Sequence, residues 1–158
     1  MLNRNKQQKM NNLYNQSDIS EITGRIDKLT STSQGQWGKM NVAQMLAHCN
    51  ISMETAMGQH NMKRVFIGRL IAPFLKKRVL GDKPFAKNSP TDKSYIFPSD
   101  LNFQEQKAKA KDSLLQFFQG GASKCTTYPH PFFGKFSPEE WAIFQWKHID
   151  HHLRQFGV

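Results

Sequence analysis

Hydrophobic residues recur every three to four positions in the first half of the chain, a spacing typical of helices with one buried face. The first stripe begins just after Ser17, a candidate N-cap, and consists of Ile19, Ile22, Ile26 and Leu29. A second, longer apolar face runs from residue 42 to residue 57, and it opens with a candidate capping box of Asn41 and Gln44. The pattern therefore predicts two helices before residue 60.

Two further helices are predicted in the second half of the chain. One covers residues 101–118, with Asp100 as its candidate cap and Gly120-Gly121 as its stop. The last helix has the clearest start, because Ser137 caps it, Pro138 takes its first position and Glu140 completes a capping box. No segment alternates as a strand does, so the predicted fold class is all-α, a four-helix bundle with one long crossover.

The segment between the second and third main helices is irregular. Residues 65–80 keep a helical spacing that Pro73 interrupts, which predicts an irregular helical hairpin. Residues 81–98 contain three prolines and many polar residues, which favours a long surface connection. Residues 1–16 are rich in Asn, Gln and Lys, so we expect a flexible tail there and place the domain at residues 17–158.

Composition indicates a protein of the cell interior. Cys49 and Cys125 are the two cysteines, and they show neither a metal-binding pair spacing nor a disulfide framework. No apolar run approaches the ~20 residues needed to span a bilayer, and the first residues lack an apolar signal segment. We therefore expect a cytoplasmic protein without a membrane span.

The formal net charge of +10 raises the question of an anionic partner. Nine basic residues but only two acidic ones lie between Lys63 and Lys93, and no nucleic-acid-binding motif organises them. A solvated basic face is the first interpretation of this segment, and an anionic small molecule is the second. Nucleic acid is not favoured.

The last helix carries a histidine pair whose spacing suits a metal ion. His148 and His152 are one helical turn apart, so their rings can converge on one point. Trp141, Phe144 and Gln155 share this flank, whereas His151 projects closer to the polar side. The polar side is predicted to hold Glu139, Lys147, Asp150 and Arg154.

A third ligand must come from elsewhere, because catalytic metal sites usually have three protein ligands and an open position. His48 is the best candidate, since it lies midway along the second helix at the edge of an apolar face. The structural alternative is that each histidine is a boundary residue bonded to a backbone carbonyl. His130, between two prolines, is expected to have a loop role.

Two segments resemble a known family. Residues 37–48 and the stretch from 129 through 157 are similar to the DinB-like superfamily of YfiT-like metalloenzymes, in a bacterial branch of unknown function. The resemblance implies an up-up-down-down four-helix bundle. It also implies a three-histidine metal site, with ligands at His48, His148 and His152, and admits a low-molecular-weight thiol as a cofactor.

The function expected from these features is metal-dependent hydrolysis or thiol-dependent transfer. The ion is expected to be divalent, zinc or nickel first and iron or manganese otherwise. Gln155 or His151 would orient the site, and His130, Trp141 and Phe144 would line its mouth. The alternative is a non-catalytic helical bundle that binds a metal or an anion, structural or stress-related, and a homodimer is compatible with either.

Overall fold

The computed structural model describes residues 10–60 and 74–158. These residues form five α-helices: α1 (Gln16–Lys28), α2 (Val42–Ala56), α3 (residues 74–80), α4 (Phe103–Gly120) and α5 (Pro138–Gln155). Two short 3-10 turns, Lys93–Tyr95 and Ala122–Lys124, complete the regular structure. In the described ranges there is no strand, and none of the helices is long and apolar enough to cross a membrane. The all-helical prediction is confirmed.

The two predicted capping boxes are present. At α2, the Asn41 side chain accepts from the Gln44 N–H at 2.9 Å, and the Gln44 side chain accepts from the Asn41 N–H at 2.9 Å. At α5, Ser137 and Glu140 make the same exchange, and Pro138 stands at the first position. Both pairs satisfy N–H groups that the first helical turn leaves free.

The caps predicted for α1 and α4 were wrong by two residues. Asn15, not Ser17, caps α1, and the Ser17 N–H donates to the Asn15 side chain at 3.0 Å. Asn102, not Asp100, caps α4, where it accepts from the Glu105 N–H at 3.1 Å. Asn and Ser or Asp are all good capping residues, so the sequence alone does not decide between the two positions in either case.

Packing begins before the predicted domain boundary. Leu13, assigned to the flexible tail, has no exposed surface, and its N–H donates to the Ala142 carbonyl at 3.2 Å. Residues 1–9 of that tail lie outside the described residues. The segment just before α1 is therefore part of the packed structure, and its burial explains why α1 starts early.

One hydrophobic core joins the helices. It takes the buried stripe of each of the four long helices: Ile22 and Ile26 from α1, Met45, Leu46 and Met53 from α2, Leu114 and Phe117 from α4, and Trp141, Ile149 and Leu153 from α5. Each of these large apolar side chains contributes roughly 1.5–3 kcal/mol to folding by leaving water. Cys49 also lies in this core, as its helical phase predicted.

Contacts along α5 show its direction relative to α1 and α2. The start of α5 lies beside Leu13 and its later part beside Arg25, which donates to Asp150 at 2.8 Å, so α1 and α5 are parallel. Against α2 the order reverses: Gln145 bonds Ser52, whereas the later His148 meets the earlier His48.

Helix α4 runs parallel to α2, because Asn50 contacts Gln106 and Glu54 contacts Lys109. The four long helices therefore follow the order up, down, down, up. The expected up-up-down-down order was wrong. Both orders place α2 antiparallel to α5, and this packing brings His48 of α2 against His148 of α5.

Two polar residues of α5 are buried rather than on a solvent-exposed side. The Lys147 ammonium donates to the Gly81 carbonyl and, at 2.9 Å, to the Lys83 carbonyl. Asp150 accepts from Arg25 at 2.8 Å and from Arg154 at 3.0 Å. The prediction of an exposed polar side failed for these two residues because Gly81, Lys83 and Arg25 lie more than 60 residues away in the sequence.

The connection after α3 packs partly on the helices. Its 3-10 turn buries Tyr95, and the carbonyl of Phe97 accepts from the Gln44 side chain at 2.7 Å. The carbonyl of Ser99 accepts from Asn41 at 2.9 Å. Residues 65–73 of the predicted helical hairpin lie outside the described residues. The connection thus reaches the start of α2, close to the candidate site.

Candidate metal centre

The structure brings together three histidines from two helices. One ring nitrogen from each of His48, His148 and His152 lies within 4.8 Å of the others. His48 is midway along α2, and the other two are one turn apart on α5. The antiparallel packing of these helices closes a separation of 100 residues between His48 and His148. The convergence expected from the spacing is therefore present.

The three rings meet by their edges. Their centroids are 4.8–4.9 Å apart, and the interplanar angles are 61°, 73° and 81°. The Nε2 atoms of His48 and His148 are 2.9 Å apart. Two nitrogen lone pairs repel at this distance, so either one nitrogen carries a proton or a cation lies between them. This arrangement suits a shared ion.

The outer nitrogens of two rings face carbonyl oxygens. His48 Nδ1 lies 3.3 Å from the backbone oxygen of Tyr95, and His152 Nδ1 lies 2.8 Å from Gln155 Oε1. The Gln155 amide is oriented by its own N–H, which donates to the Trp37 carbonyl at 2.7 Å. Because carbonyl oxygens only accept, both Nδ1 atoms carry the proton and both Nε2 lone pairs are free to bind a metal.

Burial keeps the three imidazoles neutral. Loss of water lowers the pKa of His48 and of His148, and it lowers the pKa of His152 to about 3. The neighbouring rings lower these values further, since each disfavours a positive charge on the next. The neutral imidazole is the form that binds metals. In the part of the chain that the structure describes, no carboxylate or thiol joins the three-histidine cluster.

His148 differs from the other two ligand candidates. Its Nδ1 is buried and finds no hydrogen-bond partner among the described residues. Its ring stacks on Phe144, with centroids 5.8 Å apart and planes 10° from parallel. Phe85, from the connection after α3, packs on the same group, 5.8 Å from Phe144 and 6.4 Å from His148. On its Nδ1 side, packing rather than hydrogen bonding thus holds this ring.

His151 lies beside the cluster and not in it. Its ring is 5.1 Å from that of His152, 5.8 Å from Trp37 and 5.9 Å from Phe85. It is partly exposed, unlike His48 and His152, which are 6% and 7% exposed. Burial and the charges of Arg154 and Lys87 lower its pKa, while Asp150 acts in the opposite direction.

His130 and Trp141 do not line a mouth, contrary to the sequence-based expectation. Trp141 has no exposed surface, and His130 is 6% exposed, with its ring 5.4 Å from that of Trp141. His130 Nδ1 accepts from the Phe132 N–H at 3.1 Å, and burial lowers its pKa to about 3. Both rings pack behind Phe144, 5.0 Å and 6.2 Å from it, and support it.

Sequence reasoning missed Trp37, Phe85 and Tyr95 as neighbours of the site. Tyr95 contributes a backbone oxygen to the histidines, which no residue type reveals. Trp37 stands directly before Gly38 in the sequence, and this glycine was the available signal. Gly38 has φ +80°, and a Cβ there would lie 2.5 Å from Gln155 Nε2. Only glycine fits that position without moving Gln155.

The fold and the site together define an all-helical protein with a three-histidine cluster able to hold a metal ion. Residues 7–157 match the family described as "Protein of unknown function (DUF1569)", and the chain belongs to this family. A search of curated proteins and a search of solved structures gave no match. The DinB-like resemblance was wrong, because the family that matches nearly the whole chain is this one and no DinB-like family matches.

Proposed function

We propose that His48, His148 and His152 bind one divalent metal ion and that the protein is a metal-dependent enzyme, with hydrolysis as its reaction class. The observation that supports this most directly is the convergence of one nitrogen from each ring within 4.8 Å. Three protein ligands are the usual set of a catalytic site, because a fourth position stays open. The low pKa values of the three rings favour metal binding over protonation at neutral pH.

The donor set favours a borderline metal. Three imidazole nitrogens suit zinc or nickel first, and iron or manganese as alternatives. When bound, such an ion lowers the pKa of water at its open position and so supplies a nucleophile near neutral pH. The thiol-dependent reaction rested on the DinB-like resemblance, and it has no support once that resemblance is set aside.

The surrounding residues would hold the ligands. Gln155 keeps the proton of His152 on Nδ1 and aims the opposite nitrogen at the ion. The Tyr95 carbonyl does the same for His48, and Phe144 holds the His148 ring by stacking. His151 would contact a molecule bound at the open position of the ion, since its partly exposed ring lies next to His152.

A non-catalytic metal-binding protein is the second candidate. The low exposure of His48 and His152 favours it, because a closed site restricts access to substrate. The partial exposure of His148 and His151 favours the enzyme, because it leaves one side of the cluster accessible.

We further propose that α1, α2, α4 and α5 form a single four-helix bundle and that the protein acts in the cytoplasm. One common core for all four helices supports the bundle. Both cysteines are free, as expected in a reducing compartment.

The test is metal content and affinity. Protein purified without a metal-chelating column should contain close to one divalent ion per chain, measured by elemental analysis. His152→Ala should lose tight binding in a chelator competition, whereas His60→Ala, which changes a histidine outside the cluster, should bind as the wild type does. A wild-type protein that takes up no divalent ion, or a His152→Ala protein that binds normally, would refute the site.

Circular dichroism separates the two candidates. The metal-free protein should keep its helical signal, because the core is complete without the ion. Metal should then raise stability only by binding the folded state, by about 2.7 kcal/mol at a hundredfold excess over the dissociation constant. Loss of the helical signal without metal would indicate a structural ion and favour the second candidate.

A further inference from the structure

We propose that the ligand of this site is a small organic anion with an aromatic or apolar body. This inference rests on the proposed metal site. It adds the class of substrate, which is derived from the charges and rings around the three histidines.

The site around the proposed ion carries no negative charge of its own. The three ligands are neutral imidazoles, and their outer partners are the neutral oxygens of Tyr95 and Gln155. Asp150, an acid on the same helix, is engaged by Arg25 at 2.8 Å and Arg154 at 3.0 Å. With no described carboxylate in the cluster, a bound divalent ion keeps its full charge and attracts an anion.

A lysine without a carboxylate partner lies on the Trp37 side of the histidines. The Lys87 ammonium lies 4.3 Å from the centre of the Trp37 ring. That ring is 5.8 Å from His151, which in turn is 5.1 Å from His152. In the described ranges 10–60 and 74–158, Lys87 pairs with no carboxylate. Its charge is therefore available to an approaching anion.

Two aromatic rings give the accessible side of the cluster an apolar surface. Trp37 and Phe85 flank the partly exposed His151 at 5.8 Å and 5.9 Å. Phe85 also lies 6.4 Å from the ring of His148. Aromatic walls bind flat apolar groups by stacking and by excluding water. A ligand with a negative head toward the ion and an apolar body against these rings satisfies all three observations.

The test compares two probes of nearly equal shape and different charge, benzoate and benzamide. Their affinities are measured by isothermal titration calorimetry on the zinc-loaded full-length chain. Benzoate should bind at least about tenfold more tightly than benzamide, because only benzoate meets the ion as an anion. Lys87→Gln should weaken benzoate binding about threefold and leave benzamide binding and zinc uptake unchanged.

Lys83→Gln is the matched control, since it removes one exposed lysine from the same connection and should leave benzoate binding unchanged. Zinc uptake is measured on every sample, which separates the two proposals. If zinc binds and benzamide binds as well as benzoate, the anion inference is overturned while the metal site stands. If Lys87→Gln and Lys83→Gln have equal effects on benzoate binding, the role of Lys87 is overturned. If no zinc binds, both proposals fall.

Discussion

Gln155 connects a ligand candidate to the backbone of a loop, and its replacement by Leu should weaken metal binding. Its side chain accepts from His152 Nδ1 at 2.8 Å and donates to the Trp37 carbonyl at 2.7 Å. Leu has a similar size and makes neither bond. Loss of such an outer partner typically lowers metal affinity about 10- to 100-fold, or about 1.4–2.7 kcal/mol. The reason is that the His152 ring is then free to turn and to carry its proton on either nitrogen.

The same change should lower the stability of the metal-free protein. Gln155 is 3% exposed, so Gln155→Leu leaves the His152 Nδ1–H and the Trp37 carbonyl without partners in a largely dry environment. Each unpaired group costs about 1–3 kcal/mol. Chelator competition measures the first effect, and denaturant unfolding of the metal-free protein measures the second.

Gln145 offers a matched control on the same helix. Its side chain has no exposed surface and bonds Ser52, donating to its carbonyl at 2.9 Å, but it does not contact a histidine. Gln145→Leu should therefore lose comparable stability and keep the metal affinity of the wild type. Gln155→Glu keeps an acceptor for His152 and should recover most of the affinity. Equal metal affinities for the wild type and Gln155→Leu, or equal losses for Gln155→Leu and Gln145→Leu, would refute the role of Gln155.

Three further changes test other contacts. Lys147→Met removes an ammonium that donates to two backbone carbonyls, and it should lower the free energy of unfolding by about 1.5–3 kcal/mol. The control Lys77→Met, at an exposed position, should change it by less than about 0.5 kcal/mol. Equal effects would show that Lys147 does not anchor the connection after α3 to α5. Gly38→Ala should lower both the stability and the metal affinity, because the residue has a φ of +80° and a Cβ there would lie 2.5 Å from Gln155 Nε2. A Gly38→Ala protein with wild-type metal affinity would argue against an effect through Gln155. His130 has a pKa lowered to about 3 by burial, so its contribution to stability is complete above its ordinary pKa of about 6.5 and is lost as the pH falls toward 3. In His130→Phe the free energy of unfolding should therefore fall less steeply between pH 6 and pH 4, by up to about 1.4 kcal/mol per pH unit. Unfolding experiments on metal-free protein measure this slope. An unchanged slope would show that His130 is protonated in the folded state.

The helices of the site could be predicted because the signals for them are local. The spacing of His148 and His152, and the capping boxes of α2 and α5, lie within a few residues of each other, where helix geometry determines which side chains meet. The convergence of His48 with this pair required a prediction about packing, and it followed from the apolar face on which His48 lies. Local periodicity thus accounts for the pair on α5, and the apolar face of α2 for the choice of His48.

The remaining features depend on contacts between distant segments. Lys147 appears polar and exposed in a helical projection, yet its partners are carbonyls of residues 81 and 83, more than 60 residues earlier. The parallel packing of α1 on α5 is accompanied by the pairing of Arg25 with Asp150, 125 residues apart. Neither pairing leaves a periodic pattern in the sequence. The cap of α1 was misplaced for the same reason, because the burial of Leu13 against α5 decides where that helix starts.

The 100 residues between His48 and His148 also determine when the ion can bind during folding. Closing a loop of that length lowers the entropy of the chain. The packing of α2 on α5 must offset this free-energy cost before the three nitrogens can meet. Until then His148 and His152 offer an ion two ligands on one helix. Metal uptake is therefore a late step, which reports the docking of α2 on α5. A metal with a coloured ligand-field spectrum, such as Co²⁺, added during refolding would time that docking directly.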